Sequence, residues 1–216
     1  MKKLLFCLAL FAAALTVKAQ DMSFMYEEFQ PAKIYLNDGT FAQAVMNFEF
    51  SSGNILYMQD GEMMEIADAS KITNIEFKDG RNFYQYGNNA FFEKVSRAKG
   101  DIFVHWRIRV ALVGNKGAYG TTTQAGVHNV RSASQIGMVN DGAYELKSNS
   151  EVYSSRNDNT YIFMIGEKQH KVKTLKNIYK QFPDKQEQIK TFVSDKKLSM
   201  DTAEEALQII EYVMSL

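Results

Sequence analysis

"YLNDGTF" at 35–41, "MQDGEMM" at 58–64 and "FKDGRNF" at 77–83 set an Asp-Gly pair three times between β-prone runs. Such loops either hold a cation or mark where successive strands reverse. A calcium loop needs six to eight oxygens from closely spaced acids, as in D-x-[DN]-x-[DN]-G with a distal Glu. Asp38 has Leu36, Asn37 and Thr40 around it, and Asp60 has Met58, Gln59 and Glu62. Neither loop has the required acid density, so the turn reading is favoured. A type I′ hairpin turn needs positive φ at both central residues, which Asp tolerates and Gly adopts at little cost. The strand–turn–strand unit recurs at offsets of about 20 residues, a weak repeat within the span of a two-strand module.

The flanking runs extend this pattern. "KIYLN" and "FAQAVMNFEF" surround the first pair, "NILYM" and "EMMEI" the second, "ITNIEF" and "NFYQY" the third. "DIFVHWRIRVALV" (101–113) alternates strictly, with Ile102, Val104, Trp106, Ile108, Val110 and Leu112 on one face and His105, Arg107 and Arg109 on the other. That period of two predicts one long strand with one face in a core. "GNKGAYGTTTQAGVHNV" then reads as a long exposed hairpin or loop, and strands resume at "AYELK", "EVYSS" and "TYIFMI".

After Val172 the period changes. Leu175, Ile178, Tyr179 and Phe182 fall at i, i+3, i+4 and i+7, and Pro183 ends that helix. Asp184 opens a second helix with Ile189, Phe192 and Val193 on its apolar face. Asp201 and Glu204, at capping-box spacing, launch a third with Leu207, Ile210 and Met214. The predicted fold is α+β: an antiparallel β-rich body at 20–172, a curled sheet or small barrel of hairpins, then a helical region at 173–216.

Three elements of this tail, "LKNIYKQFPDK", "IKTFVSDKKL" and "IIEYV", carry a resemblance. They resemble the C-terminal end of exported β-rich proteins of unknown function from Gram-negative bacteria. The resemblance covers about the last sixty residues and, more loosely, the leader and the Asp-Gly region. It implies an architecture and a compartment but no activity and no catalytic residue.

The leader itself is "MKKLLFCLALFAAALTVKAQ", with Lys2 and Lys3, an apolar run from Leu4 to Val17, and Val17-Lys18-Ala19 before Gln20. This is the order of a secretory signal peptide, and the run is shorter than the ~20 residues of a spanning helix. Residues 1–19 are therefore expected to be removed, and the protein to reside in the periplasm, at the cell envelope or outside the cell. Cys7, the single cysteine, leaves with the leader, so the mature chain has no disulfide and no thiolate ligand. Losing Lys2, Lys3 and Lys18 from 25 basic and 25 acidic residues leaves 22 against 25, a formal charge near −3. That balance gives no general attraction to nucleic acid. No later segment is apolar for long enough to span a bilayer as a helix.

Chemical constellations are sparse. His105, His128 and His170 are scattered without zinc-ligand spacing. There is no G-x-S-x-G elbow, and "GNKGAYGTTT" lacks the Gly-Lys-Ser/Thr end of a phosphate loop. Asp79 and Glu93 are one of many acid pairs that a glycosidase dyad would need to bring together in space. No catalytic residue, metal ligand or cofactor is assigned. Two surfaces remain. In "RNFYQYGNNAFFEK" five aromatics crowd with amides; alternate members fill a core, and Tyr84 and Tyr86 share the other face as a possible ligand or partner surface for a glycan or an envelope protein. Between Glu167 and Lys197 nine lysines face four acids, the solvated side of amphipathic helices or a site for an anionic surface.

The sequence thus favours a non-enzymatic binding or structural module of the envelope. A glycan- or peptide-directed hydrolase using dispersed carboxylates is the alternative, and an envelope subunit whose partner covers a sheet edge is a third reading. Mass spectrometry of the exported protein is expected to find Gln20 as its first residue; retention of Met1 would refute the leader assignment.

Overall fold

The computed structural model describes residues 24–87, 90–116, 122–123 and 151–216. The leader, "AYELK", most of the Gly- and Thr-rich stretch and His128 lie outside the described residues. Among the described residues thirteen strands follow one another: β1 (Gln30–Leu36), β2 (Phe41–Glu49), β3 (Asn54–Gln59), β4 (Glu62–Glu65), β5 (Ile72–Phe77), β6 (Asn82–Tyr86), β7 (Ala90–Arg97), β8 (Gly100–His105), β9 (Ile108–Lys116), β10 (Thr122–Thr123), β11 (Glu151–Asn157), β12 (Thr160–Ile165) and β13 (Lys168–Val172). Helices α1 (Leu175–Gln181), α2 (Gln186–Lys196) and α3 (Ala203–Met214) follow, with a 3₁₀ turn at Pro183–Lys185. This is the α+β arrangement, β-rich body first and helices last.

Ten strands form one antiparallel sheet in the order β13-β12-β8-β7-β6-β5-β1-β2-β3-β4, and β10-β9-β11 form a second. The large sheet curls without closing. Phe48 of β2 and Phe83 of β6 stack with centroids 5.1 Å apart although three strand spacings separate them. In a flat sheet those spacings would span roughly 14 Å. Cα atoms of β3 likewise come within 8 Å of β7 without a ladder between them.

One face of the sheet supplies both cores. In the curled half, Met46, Phe48, Ile55, Ile75, Phe77, Phe83 and Phe91 pack against each other. In the flatter half, Ile102, Val104, Tyr161, Phe163 and Val172 lie under the helices, which contribute Ile178, Ile189, Leu207, Ile209, Ile210 and Val213. Helices and sheet therefore share one core, and the C-terminal region folds onto the body. Arg97 beside Glu204, and Glu211 accepting from the Ala98 N–H at 3.1 Å, fix α3 to the β7–β8 turn.

Several local expectations change. The long strand at 101–113 is broken at Trp106–Arg107, because Arg107 N–H donates to Asn159 Oδ1 at 2.7 Å and Ile108 N–H to the Phe50 carbonyl at 3.0 Å. β8 stays in the large sheet and β9 enters the small one. The cap of α3 is Thr202, whose hydroxyl accepts from Glu205 N–H; Asp201 lies one residue outside. A capping box at Thr174 and Asn177 starts α1, and Phe182 ends it before Pro183. The second helix begins at Gln186, after the 3₁₀ turn that Asp184 occupies.

The Asp-Gly pairs split into two kinds. Asp60 (φ 52°) and Gly61 (φ 86°) are both left-handed, the type I′ form. At Asp38-Gly39 only Gly39 has positive φ, and Gly39 N–H donates to Leu36 O while Leu36 N–H donates to Thr40 O. That is a three-residue loop closed by a glycine bulge, and Asp79-Gly80 repeats it. Asp38 Oδ1 accepts from both the Thr40 hydroxyl and N–H, which holds its carboxyl below the usual range. A Cβ on Gly39 would meet nothing within 4 Å, so only its φ of 83° opposes substitution. Gly39→Val is expected to destabilise by about 1–2 kcal/mol and Asp38→Ala by less, read from urea midpoints; the reverse order would remove the turn account.

Candidate functional site

Alternation divides the aromatic run as expected: Phe83 and Phe91 point into the core, and Tyr84 and Tyr86 occupy the opposite, outer face. Tyr86 is 39% exposed and Tyr84 half-buried. Neither stands free. Tyr84 meets Phe103 edge-on at 5.7 Å; Tyr86 packs on Phe92 at 5.1 Å, and Phe92 stacks on His105 at 4.9 Å. The Tyr86 hydroxyl accepts from Gln169 of β13, four strands away in the sheet order. Phe92 and Ile162 are buried on this outer face. Tyr86 is therefore a strap across a second, smaller apolar layer, and only part of its ring is presented to solvent.

The break in the 101–113 run builds a second feature. Trp106, half-buried, touches both hydrophobic cores, and its indole N–H donates inward to Glu93 Oε2. Around it lies a cavity of about 310 Å³ between β9, the end of β11 and the start of α3. Phe50, Trp106 and Ile108 form an apolar lining, while Asn157, Asn159, Arg156 and Asp201 supply amides and one charge of each sign. Asn159 is buried and locked, its Oδ1 on Arg107 N–H and its Nδ2 donating to Tyr161 Oη at 3.3 Å. The volume is at the lower end for small-ligand sites, which combine apolar walls with a few fixed polar groups. Sequence reasoning placed Trp106 in a core strand and missed this cavity. The one available signal was a lone tryptophan on a strand flanked by arginine.

Glu93 carries the electrostatics behind the indole. Asp79 and Glu93 do converge, on opposite sides of Arg81: Nε is 3.5 Å from Asp79 Oδ2 and Nη1 is 3.4 Å from Glu93 Oε2. Tyr26 Oη donates to Asp79 Oδ2 at 2.9 Å. A glycosidase dyad needs substrate between its carboxyls, whereas here a guanidinium is bound by both. Burial pushes the Glu93 carboxyl up, while the Arg81 charge and the Trp106 N–H pull it down, and burial dominates. Burial and the bond to Asp79 push the Tyr26 phenol up as well.

The other candidates are dispersed. His105 Nε2 donates to the Gly53 carbonyl at 3.0 Å, and burial lowers its pKa. His170 Nδ1 donates to Gln181 and its ring lies 4.6 Å from Phe182. Among the described residues no three His, Cys, Asp or Glu are grouped to hold a metal, and no helix is long and apolar enough to cross a membrane. Lys190 pairs with Glu187 and Lys173 with Asp158, so these tail lysines are partly neutralised. No family model matches this chain, and comparison with curated proteins and with solved structures found no match.

Because the folded-state pKa of Glu93 is raised, the proton favours folding. Its stabilising effect is full below the unfolded value of about 4.5 and lost as pH rises through the folded value. Glu93→Gln keeps an acceptor for Trp106 and removes the buried charge. It is expected to melt above wild type at pH 7, the gap shrinking as pH falls through the carboxylate range. A gap that widens on acidification would reverse the assignment.

Proposed function

We propose that this chain is an exported, non-enzymatic binding module of the periplasm or cell envelope, and that the cavity beside Trp106 receives a residue of a glycan. The observation that carries the reading is the lining: an indole and a phenyl ring set against two amides, an arginine and an aspartate in one concavity. Aromatic groups pack on the C–H faces of sugars, while amides and charges meet hydroxyls. The leader and the tail resemblance support the compartment. The binding reading is preferred to hydrolysis because the acid nearest the indole, Glu93, is already engaged by Trp106 and Arg81.

Trp106 is the single tryptophan of the chain, so its fluorescence reports the cavity directly. Titration with hexose and acetamido-sugar oligomers is expected to change its emission saturably. Asp201→Ala and Arg156→Ala, both at exposed positions, should each weaken binding at least about tenfold, the worth of a hydrogen bond to a charged group. An emission spectrum unmoved by either sugar class would refute the assignment.

A further inference from the structure

The two edges of the large sheet are treated differently. At β13 the two-residue turn after Ile165 directs the Lys171 carbonyl away from β12, and Gln181 of α1 donates to it at 2.8 Å. The same amide accepts from His170 Nδ1 at 2.9 Å. A side chain thus takes an outward acceptor of that edge, a common defence against stray strand pairing.

At the other end β4 pairs with β3 alone among the described residues, and all four of its residues are exposed. Gln59 and Glu62 close the two-residue Asp60-Gly61 hairpin, so the backbone groups of Met63 and Glu65 point to the open side. Met63 is 51% exposed and sits opposite Met58, with Val45 and Phe41 continuing an apolar surface along β2. Met64 is exposed on the other face. The rim is acidic: between Gly53 and Lys71 lie Asp60, Glu62, Glu65 and Asp68, and no lysine or arginine.

We propose that the β4 edge is a docking strand for an extended segment of another protein, added antiparallel and carrying a basic–apolar–apolar–basic core. Each face of β4 bears one glutamate and one methionine, Met63 with Glu65 and Glu62 with Met64. An antiparallel strand of that pattern sets a cation opposite each glutamate and an apolar side chain opposite each methionine. Methionine adapts its shape to varied apolar partners, and the outward N–H and C=O groups of Met63 supply the ladder. A second β4 would bring four glutamates to one ladder, and at the β13 of a second copy the outward Lys171 carbonyl is already taken by Gln181. The charge pattern therefore selects a basic partner strand over another copy of this chain. This inference is independent of the Trp106 cavity.

The test uses the mature chain and three labelled ten-residue peptides, with central Lys-Val-Val-Lys, Glu-Val-Val-Glu, and an N-methylated form of the first, followed by fluorescence anisotropy. Micromolar binding of the first peptide alone is expected. Met63→Pro removes an outward donor and leaves the β3 ladder, so it should weaken binding at least tenfold. Glu62→Lys with Glu65→Lys should invert the preference, thermal melts confirming the fold of each variant. Equal binding of the basic and acidic peptides, a charge-swapped chain that still prefers lysine, or no binding up to about 1 mM would overturn the proposal. So would a dimer in sedimentation that the basic peptide fails to dissociate.

Discussion

Ten strands joined edge to edge present one continuous apolar face, and the need to cover that face shapes the rest of the molecule. Six strands cover it by curling, so that Phe48 meets Phe83 across the bend. Of the remaining strands, β8, β12 and β13 are shielded by three helices instead. Trp106 sits where one solution gives way to the other and belongs to both cores. The chain leaves the large sheet at that residue because the peptide after it is held by Asn159 and Phe50. A strand that changes sheets leaves a corner, and the cavity occupies it.

The corner is lined with buried polar groups whose position follows from the same break. The indole N–H needs an acceptor once the ring is enclosed, and Glu93 is the one within reach. A carboxylate so placed needs a cation, supplied by Arg81, which Asp79, itself bonded by the Tyr26 hydroxyl, holds from the far side. Arg107 Nε and Ser51 Oγ, on the two segments that meet there, are buried without a hydrogen-bond partner. Buried polar groups concentrated at a seam favour a defined geometry over maximal stability.

What the sequence discloses is what local chemistry decides. The Asp-Gly pairs mark reversals because a turn needs only its own few residues, and the 3.6-residue spacing of Ile178 and Phe182 suffices for a helix. The finer form of the turns was less legible: Asp60-Gly61 and Asp38-Gly39 share a dipeptide but differ in loop length. The cap expected at Asp201 falls one residue later, on the Thr202 hydroxyl, which accepts from Glu205 N–H. The break at Trp106 was hidden, since Asn159 and Phe50 are more than fifty residues away in opposite directions. Tyr84 and Tyr86 could be assigned a face by alternation, but not the bond from Gln169, 83 residues further on. The Trp106 cavity joins segments from four parts of the chain and left only a lone tryptophan as its sign.

Gln181 has a consequence beyond α1. A sheet with two open ends can add units to both and has no natural stopping point, the geometry of a growing fibre. With the outward Lys171 carbonyl at one end already taken by a side-chain amide, strand addition by a second copy of this chain is opposed at β13. The glutamine that opposes it sits at the other end of the sheet order from β4.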